Sequence, residues 1–249
     1  MARSSAHAGT ESGPYGDTWV YESIIGALPG IELSDGEAIA LQLVLFEVAV
    51  IVLSIGYGIE SAILPGTVAV FEAAVGSGAM QRLGRGTRDL DLPQSYRQFL
   101  FGSSIEVVLG VLAFVALVTH LFVFDPRGVG MTIIESFLGE NPPILVVYLT
   151  LLILWDLCYR IGTSWWAAVV ALWRSWRYEF DPETASKLRR LDALNAGFGL
   201  VQVAMVPFVI DRPVLLIAVG GHVLAVIGVS LAALVTIDEI DVPTAQGNT

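Results

Sequence analysis

Residues 142–174 read PPILVVYLTLLILWDLCYRIGTSWWAAVVALWR, and this stretch decides the fold. Its apolar run exceeds the roughly 20 residues that an α-helix needs to cross a bilayer. Asp156 and Arg160 stand near its middle, one helical turn apart. Ionisable groups are costly at that depth, so they face a protein interior or a water-filled cavity and have a partner. The stretch therefore predicts a membrane span that packs against other spans.

The overall composition agrees with a membrane protein. Of the 249 residues, 55% are hydrophobic and only 15% are charged, whereas a soluble domain carries about 25% charged residues. The net charge of −11 excludes a nucleic-acid-binding protein, because nucleic acid needs a basic surface. Cys158 is the only cysteine, so the chain forms no intrachain disulfide and no thiolate metal cluster.

Six apolar runs predict an all-α membrane protein, a bundle of six transmembrane helices. The predicted spans cover about 37–58, 62–80, 98–124, 144–173, 191–210 and 214–237. A five-span alternative stays open, with the second segment re-entrant. Pro65, Gly66, Gly76 and Gly78 weaken the helix of that segment.

The regions outside the spans are short. Residues 1–16 are polar and rich in Gly and Ser, which predicts a disordered tail without a signal peptide. Residues 17–36 predict a short interfacial helix and a linker, with Trp19 at the level of the lipid headgroups. The transmembrane domain follows at 37–237, and 238–249 form an acidic tail.

Local signals mark several helix ends. Ser34 and Glu37 have the spacing of a capping box at the start of the first span. Asp181 and Pro182 are a cap and a first helical residue. Pro207 predicts a kink in the fifth span, because proline cannot donate a backbone hydrogen bond.

The basic residues predict the orientation in the membrane. With six spans, ten Lys and Arg residues lie on the side of both termini, and only Arg127 and Arg212 lie on the other. The positive-inside rule then places both termini in the cytoplasm of a multi-pass protein of the cell membrane. Trp173, Arg174, Trp176 and Arg177 look like an interfacial anchor at the end of the fourth span.

Polar residues within the predicted spans are the candidate functional residues. They share helix faces with small residues, which mark close helix packing in membranes, so we expect them to point into the bundle. The candidates for a pathway or buried polar cluster are Glu47, Glu72, Glu106, Asp156, Arg160, Gln202 and His222.

Two interpretations of this cluster compete. In the structural one, the acids form hydrogen bonds between helices, and Asp156 and Arg160 form a pair that fixes the helix register. In the functional one, an excess of acids in a low-dielectric space attracts a cation or carries protons. The favoured hypothesis is a small cation- or proton-coupled transporter or channel-like protein. In it, Glu47, Glu72, Glu106 and Asp156 form the pathway, and Arg160 is the counter-charge.

Two further classes of function stay open. One is a non-catalytic membrane scaffold or accessory subunit, with the aromatic fourth span as its contact surface. The other is a membrane enzyme acting on a lipid or isoprenoid. An enzyme is disfavoured, since the sequence has no nucleophile–base signature and no acidic diphosphate-binding motif.

No cofactor or metal is predicted. His120 and His222 lack a closely spaced second ligand. The aromatic side chains of the fourth span favour packing over stacking on a carotenoid or quinone. Retinal is excluded, because the only lysine, Lys187, lies in a loop. The predicted partners are the lipid bilayer, a cation or proton, and a second copy of the chain or another membrane protein.

Two segments carry a resemblance to a known family. They are FGSSIEVVLGVLAFVALVTHLFVFDP (101–126) and YLTLLILWDLCYRIGTSWWAAVVALWRSWRY (148–178). With the acidic, lysine-poor composition of the whole chain, they resemble an uncharacterised family of haloarchaeal multispan membrane proteins. The resemblance implies a haloarchaeal host and a membrane location, and it supplies no catalytic residue.

Overall fold

The computed structural model describes Trp19, residues 34–128 and residues 130–240. Within these residues, six helical segments are long and apolar enough to cross a membrane. The all-α bundle of six spans is therefore confirmed, and the chain is a multi-pass membrane protein. The spans are Gly36–Gly56, Glu60–Arg88, Gln94–Arg127, Ile144–Arg177, Pro182–Val209 and Pro213–Thr236.

Most spans consist of one long α-helix, and the third and fifth also contain shorter irregular pieces. The α-helices are α1 (Asp35–Gly56), α2 (Ile63–Arg88), α3 (Gln94–Phe101), α4 (Ile105–Thr119), α5 (Ile133–Leu138), α6 (Ile144–Arg177), α7 (Pro182–Val201), α8 (Val206–Val209) and α9 (Pro213–Thr236). A π-helical segment covers His120–Phe124, and 3-10 segments cover Glu60–Ala62, Asp125–Arg127 and Gln202–Met205. Two short parallel strands complete the fold, β1 (Glu179–Phe180) and β2 (Asp238–Glu239).

The helix starts that the sequence predicts are confirmed. The Ser34 hydroxyl accepts a hydrogen bond from the Glu37 N–H, and the Glu37 carboxylate accepts one from the Ser34 N–H, which completes the capping box. At the start of α7, the Asp181 carboxylate accepts hydrogen bonds from the N–H groups of Glu183 and Thr184, each at 3.0 Å. Side-chain and backbone hydrogen bonds with Thr184 hold the pKa of Asp181 below its usual range.

Helix α6 is the centre of the bundle, and α4, α9 and α2 all pack on it. The contact with α4 is close because both helices present glycine there. A Cβ added to Gly162 would lie 2.6 Å from the Gly110 nitrogen and 2.8 Å from the Glu106 carbonyl oxygen. These small residues allow the two backbones to approach each other, as is typical of membrane helices.

The third span differs from the single helix predicted over 98–124. Its backbone breaks between α3 and α4, where Ser104 has a φ of 53°. The Ser103 hydroxyl accepts a hydrogen bond from the Ile105 N–H at 3.4 Å, so a serine side chain replaces a helical backbone partner there. The periodicity of apolar residues does not show where a side chain competes with the backbone for a hydrogen bond.

The second and fourth spans are longer than predicted. Helix α2 continues to Arg88, so residues 81–88 are helical and do not belong to a loop. Helix α6 likewise continues to Arg177. The predicted tails 1–16 and 241–249, and the predicted interfacial helix and linker except Trp19 and residues 34–36, lie outside the described residues.

The two ends of the bundle differ in packing. The end that carries β1 and β2, called here the arginine end, contains a large core cluster of buried side chains that includes Leu83, Phe101 and Leu188. Trp19 belongs to this cluster, 2% exposed and edge-to-face against Phe101 at 5.2 Å. The opposite end, called the α5 end, encloses a large cavity.

Candidate functional site

The cavity at the α5 end has a volume of about 570 Å³. That lies within the roughly 300–1,000 Å³ of sites that bind small molecules. All six spans and α5 contribute to its wall, and most of the lining side chains are aliphatic or aromatic. Among the described residues, no lysine or arginine lines it. The cavity is therefore a large apolar space within the membrane-length part of the bundle.

Three polar side chains of the wall, on three spans, carry buried polar atoms that have no hydrogen-bond partner among the described residues. They are Glu72 of α2, Gln202 of the fifth span and His222 of α9. Both carboxylate oxygens of Glu72, both amide atoms of Gln202 and the Nε2 atom of His222 lack a hydrogen-bond partner there. Glu72 is 1% exposed and Gln202 is 3% exposed. Buried polar atoms without partners are costly, so each one calls for an explanation.

An irregular backbone places Gln202 at the wall. The residue begins the 3-10 segment Gln202–Met205, which packs on both α2 and α9. Pro207 explains the segment, because it has no N–H for the carbonyl oxygen one turn earlier. The predicted kink therefore takes the form of a 3-10 segment. His120 also lines the cavity, and it is the first residue of the π-helical segment His120–Phe124. Such π segments are frequent at functional sites.

Short helix α5 covers the cavity at its end of the bundle. Ile133, Phe137 and Leu138 of α5 contribute to the wall. Arg212 holds the neighbouring chain in place, donating to the Asp125 carboxylate at 2.9 Å and to the Met131 carbonyl oxygen. The same carboxylate accepts a hydrogen bond from the Ile133 N–H at 2.6 Å, so one ion pair fixes the start of the cover.

Only one of the four acids predicted to form a pathway lines this cavity. Glu47 instead accepts a hydrogen bond from the Thr67 hydroxyl at 2.7 Å, which joins α1 to α2. Glu106 is 0% exposed, at the start of α4 near the contact with Gly162, and its carboxylate has no hydrogen-bond partner among the described residues. The structure therefore does not bring Glu47, Glu106 and Asp156 together with Glu72 in one space.

Asp156 and Arg160 form a buried ion pair. Arg160 donates from Nη2 to Oδ1 at 2.7 Å and from Nε to Oδ2 at 3.1 Å. The Gln42 amide also donates to Oδ2 at 3.1 Å, which links α1 to α6. The aliphatic part of Arg160 lies over Gly76, where an added Cβ would be 2.5 Å from the Arg160 Cδ. This geometry is that of the register-fixing pair in the structural interpretation.

A second buried ion pair lies at the arginine end, and sequence analysis missed it. Arg174 donates to the Asp192 carboxylate at 2.6 Å and to the Tyr96 hydroxyl at 3.3 Å. Arg174 is 1% exposed, so its assignment to an interfacial anchor is wrong. The helix extension to Arg177 places Arg174 inside the bundle, opposite α7. The spacing of Arg174 and Asp192 in the sequence did not predict this ion pair, because the two residues lie on different helices.

The other polar and aromatic candidates pack between helices. The Asn195 amide donates to the Ser164 carbonyl oxygen and to the Ser230 hydroxyl, each at 3.0 Å, and joins three spans. Trp155 packs edge-to-face on Phe114. Trp166 and Trp173 both pack on Phe99. None of these aromatic rings lines the cavity.

Neither a curated protein nor a solved structure matches this chain. A family profile does match, and it covers residues 14–233, which include the first five spans, the sixth span up to residue 233 and every residue of the cavity wall. The chain thus belongs to a family of unknown function, DUF7530.

Proposed function

We propose that this protein binds a lipophilic small molecule in the cavity at the α5 end. The observation that carries the proposal is the combination of an apolar space of about 570 Å³ with unpartnered polar groups in its wall. Ligand sites are typically concave and mostly apolar, with a few polar groups that orient the ligand. The bilayer around the bundle is also a source of lipid-soluble molecules.

The arrangement of the acids favours this proposal over the transporter hypothesis. A cation or proton path needs polar groups along a continuous route, but Glu47 and Asp156 are hydrogen-bonded elsewhere and Glu106 lies away from the cavity. Beyond the cavity, the arginine end is filled by the core cluster that contains Trp19 and Phe101. Cation or proton coupling stays a prediction, tested by flux in proteoliposomes with wild type and Glu72→Gln.

The enzyme and scaffold hypotheses from the sequence differ in the role that they give to this cavity. A membrane enzyme acting on a lipid would use this space, with Glu72, His120 and His222 as groups able to transfer protons. A scaffold would leave the cavity without a specific ligand. The haloarchaeal host and the cytoplasmic location of both termini also stay predictions, and under that orientation the cavity lies toward the outer face.

Mass spectrometry of the lipids that co-purify with the protein tests the proposal. A variant with a filled cavity is the comparison. Ala113 of α4 lines the cavity, and its neighbour Leu112 is 61% exposed and does not line it. Ala113→Phe should lose a co-purifying molecule that wild type and the matched control Leu112→Phe retain. The purification should use molar salt, which suits the haloarchaeal host that the acidic composition predicts.

Two outcomes would change the conclusion. If wild type and Ala113→Phe carry the same lipids in the same amounts, the cavity is not a ligand site and the proposal fails. If the bound molecule is converted during incubation, and Glu72→Gln stops the conversion while binding persists, the protein is an enzyme. Thermal unfolding of both phenylalanine variants controls for loss of the fold.

A further inference from the structure

We infer that the ligand of this cavity carries a single neutral hydroxyl head, held at Glu72, Gln202 and His222, and that anionic lipids are excluded. The inference rests on the proposed function and assigns the chemical class of the ligand. It follows from three observations: which polar atoms lack partners, which charges line the wall, and where the polar groups lie relative to the apolar wall.

The unpartnered atoms include both donors and acceptors. The Glu72 carboxylate offers acceptors, and the Gln202 amide offers one donor group and one acceptor. A hydroxyl group donates one hydrogen bond and accepts two, so it can donate to Glu72 and accept from the Gln202 nitrogen at once. An ammonium head offers no acceptor to the Gln202 donor, whereas a hydroxyl head can bond to both Glu72 and Gln202.

The charges of the wall exclude an anionic head. Among the described residues, Glu72 is the one acidic side chain of the wall, which also contains two histidines. No lysine or arginine among these residues lines the cavity. Arg160 is engaged by Asp156 and does not line the cavity. A phosphate or carboxylate would therefore approach an acid in a low-dielectric space without a strong cation to balance it.

The positions of the polar groups define how the ligand lies. The Gln202 segment packs on α2 and on α9, so the three head-binding side chains come from neighbouring elements. The wall toward α5 is apolar, with Ile133, Phe137 and Leu138. The hydroxyl head consequently lies deep in the bundle and the hydrocarbon tail extends toward α5. A long-chain alcohol has this shape and these groups, and isoprenoid alcohols are one such class.

Cys158 provides the readout, because it is the only cysteine of the chain and lines the same cavity. The rate at which a lipophilic maleimide labels Cys158 in nanodiscs should fall when a ligand fills the cavity. The three probes are geranylgeraniol, geranylgeranyl phosphate and the hydrocarbon phytane, which share a branched isoprenoid tail and differ mainly in the head. The Cys158→Ser variant controls for non-specific labelling.

We expect geranylgeraniol to protect Cys158 at about tenfold lower concentration than phytane, the ratio that roughly one buried hydrogen-bonding group gives. Geranylgeranyl phosphate should protect no better than phytane. In Glu72→Leu and Gln202→Leu the advantage of the alcohol should disappear. Both substitutions remove unpartnered buried polar atoms, so the fold should persist. Thr150→Val, which alters another polar group of the wall, should keep the advantage.

The outcomes separate the two proposals. If all three probes protect Cys158 equally, or if the phosphate protects best, the head assignment is wrong while lipophilic binding stands. If none protects Cys158 in wild type, although the thiol reacts, the cavity does not take isoprenoid ligands and the head assignment fails. The lipid comparison of wild type with Ala113→Phe then decides the proposed function by itself. If the leucine variants keep the full preference for the alcohol, Glu72 and Gln202 do not hold the head.

Discussion

Removal of the Asp156 charge should destabilise the protein more than removal of the Asp156–Arg160 pair as a whole. Arg160 is 2% exposed and reaches both carboxylate oxygens, at 2.7 and 3.1 Å. In Asp156→Asn, the guanidinium stays buried but faces an amide that offers one acceptor oxygen and an unfavourable NH₂ group. Loss of one partner from a buried ion pair costs about 3–5 kcal/mol. Because the asparagine keeps one acceptor, we expect Asp156→Asn to lower the free energy of unfolding by about 3 kcal/mol.

The double variant Asp156→Asn with Arg160→Gln removes the uncompensated charge. Replacement of a whole buried pair is often close to neutral, so its cost should be well below that of Asp156→Asn alone. Equilibrium unfolding in detergent of wild type, Asp156→Asn, Arg160→Gln and the double variant completes a double-mutant cycle. A matched control is the exposed pair of Arg189 and Glu239, 34% and 39% exposed. Glu239→Gln should cost only about 0–1 kcal/mol.

The cycle can refute this reasoning in two ways. If the single losses add in the double variant, the two groups do not interact energetically, although they are in hydrogen-bonding distance. If Asp156→Asn costs no more than Glu239→Gln, then burial does not make the pair costly to break. Either result would remove the argument that Arg160 is unavailable to an anionic ligand.

Three further predictions address packing, topology and pH. Gly162→Ala should destabilise by about 1–3 kcal/mol, because the added methyl group meets the α4 backbone. Gly197→Ala, with open space around the added Cβ, should stabilise by about 0.4–1 kcal/mol in the same unfolding assay. In a cysteine-free background, Arg88→Cys should react with an impermeant maleimide only from the cytoplasmic face, and Glu140→Cys only from outside. The reverse pattern would contradict the predicted orientation. Since the pKa of Asp181 is lowered in the folded state, its contribution to stability is present above the unfolded pKa and is lost as the pH falls below about 4. Asp181→Asn should flatten that part of the stability profile, measured by unfolding between neutral and acidic pH.

Sequence analysis predicted the spans and their starts because those depend on local chemistry. Apolar length decides whether a helix crosses the membrane, and the Ser34 and Asp181 caps depend on neighbouring N–H groups. It missed the break at Ser104, which arises from local hydrogen bonding that hydropathy does not detect. The length of α2 was also missed, because Arg82, Arg85 and Arg88 are polar residues on a helix that leaves the apolar layer.

The candidate site was predicted less well, for a geometric reason. Spans that are apolar on all sides give little information on which face meets which neighbour. The sequence singled out Glu72, Gln202 and His222, which share one cavity, but grouped them with Glu47 and Glu106, which do not line it. The cavity itself arises from three-dimensional packing around α6. Pro207 was the available clue, since its effect on the backbone sets the Gln202 segment apart from α7.

Parallel pairing of β1 with β2 ties residues 179–180 to residues 238–239, with Ile240 donating to the Phe180 carbonyl oxygen. The ribosome makes β1 before the last two spans and β2 directly after the sixth span. Phe180 and Ile237 belong to the same buried cluster. That cluster therefore cannot close during synthesis until the sixth span has been inserted. A chain that stops earlier leaves the β1 edge without its pairing partner and Phe180 without Ile237.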